Sequence, residues 1–312
     1  MSLFTFGCSF TQYKWPTWAD IVGQEFESYE NWGQSGGGNQ FIFNSLIECL
    51  VKNKISMNDT VIIMWSSFAR EDRYVDGKWI TSGGIFTQDV YDGQFVKKFA
   101  DLRGYYIRDY NTIFAAQNIL KNIGCKFYFL SMLPLTNQDQ YHDDNCTDKI
   151  ADLLTYFKPI LDQTRSSIYE VIFNFDWCSR PRPFVYDGHS ATKKNQYNAI
   201  KDPSWPDWPG SLYSTTEDRA FLTALSDKIK KECLETFGLD LYKSTTPKDA
   251  PASRVKQLDL HPTPSEHLEY LEKVLPEISI SQSTKDWVAH VDTQARSSEP
   301  CSPWAWQTIT RW

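Results

Sequence analysis

Leu3-Phe4-Thr5-Phe6-Gly7-Cys8-Ser9 begins as a short apolar run and stops at a tight turn. Further on, Val61-Ile62-Ile63-Met64-Trp65 carries no polar residue at all. A strand that faces solvent on one side alternates apolar and polar residues, whereas one apolar throughout is buried on both faces, as in a parallel sheet between helices. These two runs set the reading of everything around them.

Working outward, Pro16 suits a first helical turn, and Trp18, Ile21, Val22 and Phe26 follow at helical spacing. Ser28 to Trp32 reads as a second strand, closed by Gly33 and the Gly36-Gly37-Gly38 triplet, and Phe41 to Val51 as a helix. Asp109 to Ile123 is a helix and Cys125 to Leu130 a strand. Ile150 to Leu161 reads as a helix and Ile168 to Phe175 as a strand. Glu217 to Phe237 is again helical, Thr245 to Ala252 is linker-like, and Glu266 to Val274 is a helix opened by the capping box Thr263-Pro264-Ser265-Glu266. Strand and helix alternate, which predicts an α/β fold: a three-layer α/β/α sandwich around a central parallel sheet.

Two stretches break the rhythm. Residues 74–93 contain Asp76-Gly77 and Gly83-Gly84 and predict a hairpin or loop insertion, while residues 178–210, rich in Pro, Trp and Gly, predict a long excursion. The main domain is expected over 1–276, and 277–312 is a polar tail ending in Pro303-Trp304-Ala305-Trp306 and Trp312, suited to packing back on the domain or onto a partner chain in a homo-oligomer.

The net charge of −7, without a local Lys/Arg cluster, argues against nucleic acid or anionic membrane as a partner. Met1 to Phe10 lacks the layout of a secretory signal, and the 7 cysteines are scattered without a C-x-x-C pair. Free thiols and synthesis in a reducing cytoplasm are the expectation. The 12 Trp serve either core packing or stacking on sugar rings.

A serine becomes nucleophilic when a base takes its proton and a carboxylate orients that base. Ser9 follows the first strand, where a parallel sheet presents its ligand-binding edge, and Asp259-Leu260-His261-Pro262 precedes the capped helix. Ser9 as nucleophile, His261 as base and Asp259 as its orienting acid form the candidate set. Alone, Ser9 reads as a turn serine and Asp259/His261 as a surface pair. Cys8 is the alternative nucleophile, but neighbouring side chains of an extended turn point opposite ways, so Cys8 is assigned to an apolar gap. His142-Asp143-Asp144 with Cys146 reads as a solvated acidic turn and not a metal site; Gly36-Gly37-Gly38-Asn39 lacks the lysine of a phosphate loop. His267 reads as structural, and His189 and His290 have no assigned partner. No cofactor or metal is expected.

Phe6-Gly7-Cys8-Ser9-Phe10-Thr11 resembles the first block of the SGNH (GDSL-like) hydrolase superfamily, Asn31-Trp32-Gly33-Gln34-Ser35-Gly36 its second, and Asp259-Leu260-His261-Pro262 its last. The resemblance implies a serine esterase working through an acyl-enzyme, with Ser9 and Gly36 backbone N–H groups in the oxyanion hole. It departs at the third block: Trp65-Ser66-Ser67-Phe68-Ala69-Arg70 places Ser67 where the family has asparagine, so the side-chain amide is absent and Ser67, through its hydroxyl, or Arg70, from the next turn, are the candidates for the third donor. This Trp-Ser-Ser-x-x-Arg variant resembles SGNH-like proteins of bacteriophages, which would be made in the cytoplasm and can act on a particle outside it. The expected substrate is an O-acetyl or other small acyl ester on a glycan. The alternatives are a non-catalytic glycan-binding or virion structural module that keeps the fold, and acyl transfer to a hydroxyl other than water.

Overall fold

The computed structural model describes residues 1–53, 55–86, 91, 93–138, 146–177, 179–180, 184–187 and 255–296. Its centre is a parallel sheet of β1 (Ser2–Phe6), β2 (Ser28–Asn31), β3 (Thr60–Trp65) and β6 (Lys126–Ser131) in the order β2-β1-β3-β6. The registers Phe4↔Glu30, Phe4↔Val61 and Ile63↔Phe129 fix the alignment. A parallel bridge between Phe129 and Thr164 marks a fifth position beyond β6. The order reverses between β1 and β3, so a crevice opens at their carboxyl ends, the usual ligand position in such sheets.

Successive side chains of a strand point to opposite faces, and both faces here are covered. Val61, Ile63 and Trp65 of β3 pack with Phe4, Phe6 and Phe129 against α2 (Asn39–Asn53), α4 (Leu102–Ile123) and α5 (Cys146–Leu161). Ile62 and Met64 pack the other way, with Leu3 and Leu130, against α1 (Trp18–Gly23), α6 (Ile168–Val171), α7 (Pro264–Val274) and α8 (Gln282–Arg296). The three-layer α/β/α sandwich is thus observed. Helix α4 starts at Asp101, whose carboxylate accepts from the Gly104 N–H at 2.8 Å, and stops at Gly124 with φ 77°.

Several expectations change. Ile168 to Phe175, expected as a strand, opens with helix α6, because Ser167 and Glu170 form a reciprocal capping box and Ile168, Ile172 and Phe173 bury at helical spacing. Helix α1 ends at Gly23, and Phe26 reaches the core from the turn that follows. The inserted hairpin begins earlier than residue 74: β4 (Arg70–Val75) pairs with β5 (Lys78–Gly84). Asp76 and Gly77 both take positive φ, 49° and 78°, as a two-residue hairpin turn demands. Gly83-Gly84 is no turn but the end of β5, beside a register shift between Arg70 and Asp72. Helix α3 (Gly93–Phe99) follows the hairpin. Residues 282–296 of the expected tail form α8, which packs along α7.

Strands β7 (Phe184–Asp187) and β8 (Val255–Leu258) pair antiparallel and deliver the chain to Asp259. The predicted helix at 217–237, the linker at 245–252, His142-Asp143-Asp144, His189 and the tryptophans beyond 296 lie outside the described residues. No helix among the described residues is long and apolar enough to cross a membrane.

Candidate active site

Ser9 sits in the turn that leaves β1, where the Cys8 carbonyl accepts from the Thr11 N–H at 2.9 Å and the Gln12 N–H at 3.1 Å. Gly7 makes this turn possible: a Cβ there would lie 1.9 Å from Thr11 Oγ1. The Cys8 thiol points into the core and contacts Met132 Sδ at 3.9 Å. The Ser9 hydroxyl faces the other way and lies 2.9 Å from His261 Nε2. Of these two neighbouring side chains, the Ser9 hydroxyl is the one that faces His261.

His261 Nδ1 lies 2.7 Å from Asp259 Oδ1, which also accepts the His261 backbone N–H at 2.9 Å. Double use of one oxygen fixes both the backbone and the ring of His261 within a three-residue span. Helix α7 holds the segment from behind, because Glu266 accepts from the Thr263 N–H at 2.8 Å and Pro264 occupies the first turn. With Nδ1 donating to a carboxylate, Nε2 is the acceptor that faces Ser9.

Residues 10–15, absent from the sequence-derived site, enclose this pair. The Tyr13 ring stacks on the His261 ring at 3.8 Å and 18°, and Phe10 approaches it at 5.3 Å. The Tyr13 hydroxyl donates to Asp259 Oδ2, and Lys14 Nζ reaches the same oxygen at 2.7 Å. Trp15 Nε1 donates to the Pro262 carbonyl at 2.8 Å. Burial pushes the Asp259 carboxyl up, but His261 and Lys14 pull it further down, and the net position is below the usual carboxylate range. Burial and then the charge of Asp259 push the Tyr13 phenol well up, so it stays a donor. Burial, reinforced by His261, lowers His267 to about 3; it is a neutral core residue of α7.

The second strand delivers the other half of the site. Gly7 O accepts from the Gln34 N–H at 3.1 Å, and Asn31 Nδ2 donates to Thr11 O at 2.8 Å, locking the two loops together. The Gly37 N–H closes a turn on Gln34 O at 3.0 Å, with Gly36 at φ 79°. The Gly36 N–H lies outside that turn bond, and a Cβ on Gly36 would meet Thr81 O at 2.1 Å. Beyond β3, Asn39 pins Ser66 by accepting its N–H at 2.8 Å and donates to the buried Asp109 at 2.9 Å. Burial, against the pull of Arg108, leaves the Asp109 carboxyl at about 6.

Ser67 and Arg70, alternative candidates in the sequence, are coupled. Arg70 Nε donates to Ser67 Oγ at 2.9 Å and Nη1 to Gly37 O at 3.1 Å. Ala69 at φ 59° reverses the chain so that Arg70 returns over Ser67, a left-handed conformation that costs ~1–2 kcal/mol for a residue with a Cβ. Nothing in the residue type announces it. The structure thus brings Ser9, Asp259 and His261 into one bonded chain, and ties Ser67, Arg70 and the Gly36 loop into another.

No protein-family model matches the chain, and no curated protein matches it. Among solved structures, a member of the lipolytic protein G-D-S-L family from Veillonella parvula aligns with 14% identity over 76% of this chain and 98% of its own, at a TM-score of 0.35. An acetyl-xylooligosaccharide esterase from Geobacillus Stearmophilus aligns with 12% identity over 74% of this chain and 93% of its own, at a TM-score of 0.29. The chemistry of the site therefore rests on its own geometry. Among the described residues, no group of three His, Cys, Asp or Glu is placed to hold a metal ion.

Proposed function

We propose that this chain is a serine esterase of the SGNH type that removes O-acetyl or other small acyl groups from a glycan. The observation that carries it is the unbroken path from Ser9 Oγ through His261 Nε2 and Nδ1 to Asp259 Oδ1, at 2.9 and 2.7 Å. In this reading Ser9 Oγ attacks the ester carbonyl as its proton passes to His261 Nε2. His261 then returns that proton to the departing alcohol, leaving acyl-Ser9. Water, deprotonated by the same nitrogen, attacks the acyl carbon; the bond to Ser9 Oγ then breaks as His261 returns the proton to that oxygen, and the acid leaves. Asp259 stays ionised throughout and stabilises the imidazolium.

The oxyanion would be met by the Ser9 and Gly36 N–H groups and by Ser67. Because Ser67 Oγ already accepts from Arg70, its own proton is the one it has to offer. Arg70 thereby orients a hydroxyl donor in place of the family's amide. Support for a sugar substrate comes from the inserted hairpin. Its strands pair Tyr74 with Trp79, which together with Asn44 and Glu48 of α2 line an open cleft of about 310 Å³. The aromatic faces of Tyr74 and Trp79 suit a saccharide ring, while Glu48 is buried against Lys52 and Asn44 donates to Gln40 O. The hairpin also grips the Gly36 loop, since Thr81 Oγ1 donates to Ser35 O and accepts from Gln34 Nε2, both at 2.9 Å.

The test is the initial rate of p-nitrophenyl acetate hydrolysis by the wild type and Ser9→Ala, with fluorophosphonate labelling of both. Activity and labelling in the wild type that fall by about 10⁴-fold or more in the variant establish the esterase. A wild type that neither turns over nor labels would overturn it in favour of a binding module.

A further inference from the structure

Asp259 is 4% exposed, and its Oδ1 is fully engaged by the Nδ1 and backbone N–H of His261. Its Oδ2 would be a buried anionic oxygen without a donor if the loop after β1 did not reach it. Such an oxygen is costly, and the terminal torsion of an aspartate is broad, so an unheld carboxylate would swing. Tyr13 and Lys14 remove both problems. One brings a hydroxyl donor and the other a cation to Oδ2. The same Tyr13 lays its ring on His261. Lys14 is itself held, with Nζ 5.2 Å from the Tyr13 ring centroid and 5.0 Å from that of Trp15. Trp15 in turn is fastened to Pro262, the residue after the base. Three consecutive residues thus bind three sides of one segment: a carboxylate oxygen, a ring face and a backbone carbonyl.

We propose that Tyr13 and Lys14 are positioning residues of the proposed active site, a clamp that holds the Asp259 carboxylate and the His261 ring in the orientation that presents Nε2 to Ser9. Neither touches the reacting atoms in this role. Among the described residues, the charged and titratable groups seen beside the pair include Ser9, Tyr13 and Lys14 from the loop after β1, and His267 from α7. Lys14 is the cation bonded to the acid, so it offsets the carboxylate's charge while fixing its geometry. The loop itself is held by bonds that neither Tyr13 nor Lys14 makes: Trp15 Nε1 on Pro262 O, and Asn31 Nδ2 and Thr17 Oγ1 on Thr11 O.

The clamp deepens the esterase reading, and its test separates the two. The full chain is compared with Lys14→Gln, Lys14→Arg, Tyr13→Phe and Tyr13→Ala by two readouts. The first is the far-downfield proton resonance of the Nδ1–H···Asp259 bond, assigned by its loss in His261→Gln and independent of turnover. The second is the rate of fluorophosphonate labelling of Ser9. Lys14→Gln and Tyr13→Ala are expected to broaden the resonance and slow labelling about tenfold or more, within the range a positioned base contributes. Lys14→Arg is expected to recover both, and Tyr13→Phe, which keeps the stacked ring, to lie between. If Lys14→Gln and Tyr13→Ala keep a sharp resonance, there is no clamp, whatever the enzyme does. A resonance lost in these variants while the wild type itself remains unlabelled would keep the clamp and discard the esterase.

Discussion

The two halves of the site are built in different ways. On the base side, Asp259 and His261 bond within a span of three residues, and the loop at 10–15 packs around them with three aromatic rings. On the proposed oxyanion side, Arg70 bonds Ser67 across a left-handed alanine, and Thr81 of the hairpin holds the Gly36 loop through Gln34 and Ser35. The base side is a compact unit, whereas the oxyanion side is assembled from an insertion. A substitution should therefore act sharply and locally on the first half, and spread through the hairpin on the second.

The largest test of this contrast is Ser67→Ala. Removing a donor aimed at developing charge costs about 10²-fold in kcat, and KM should barely move, because the ground-state carbonyl gains little from it. An unchanged kcat would reduce the oxyanion half to its backbone N–H groups and make Arg70 a mere hairpin anchor. A smaller effect belongs to the base half and appears in stability. His267, lowered to about 3, is held neutral in the fold. A depressed histidine contributes stability above its unfolded value of about 6.5 and loses it as pH falls towards the folded value, by up to ~1.4 kcal/mol per pH unit. Thermal unfolding of the wild type should thus drop more steeply from pH 6.5 to 4.5 than that of His267→Gln. Parallel curves would mean that water reaches this part of α7. The mildest expected effect is that of Trp79→Ala. It should raise KM for an acetylated oligosaccharide about three- to tenfold, the loss of one stacked ring, and leave p-nitrophenyl acetate unaffected. Equal behaviour on both substrates would detach the hairpin cleft from substrate binding.

The contrast also explains what could be read in the sequence. Strand β3 was legible because burial on both faces demands apolar residues along its length, β1 and β6 because they carry short apolar runs, and the Asp76-Gly77 turn because only such pairs take two positive φ values easily. Ser9, Asp259 and His261 were legible because short motifs lie where a parallel sheet opens. Tyr13 and Lys14 were not, since their contact with Asp259 spans some 246 residues and neither type is unusual in a loop. Helix α6 was misread as a strand because Ile168-Tyr169-Glu170-Val171-Ile172-Phe173 has few polar residues; the Ser167 and Glu170 cap was the overlooked signal. Ser67 and Arg70 were read as competitors, because one-dimensional spacing does not reveal that one orients the other.

Ser9 and His261, the proposed nucleophile and base, are separated by 252 residues of chain. During synthesis Ser9 emerges first and waits, inert, while nearly the whole domain is translated. Only when the segment carrying His261 docks does the hydroxyl acquire an acceptor. The proposed catalytic centre is in this sense a seam, closed last, and the chain can be divided in principle into two separately silent fragments. Mixing residues 1–177 with a fragment that carries 255–296 would make catalysis itself the report that the two had met.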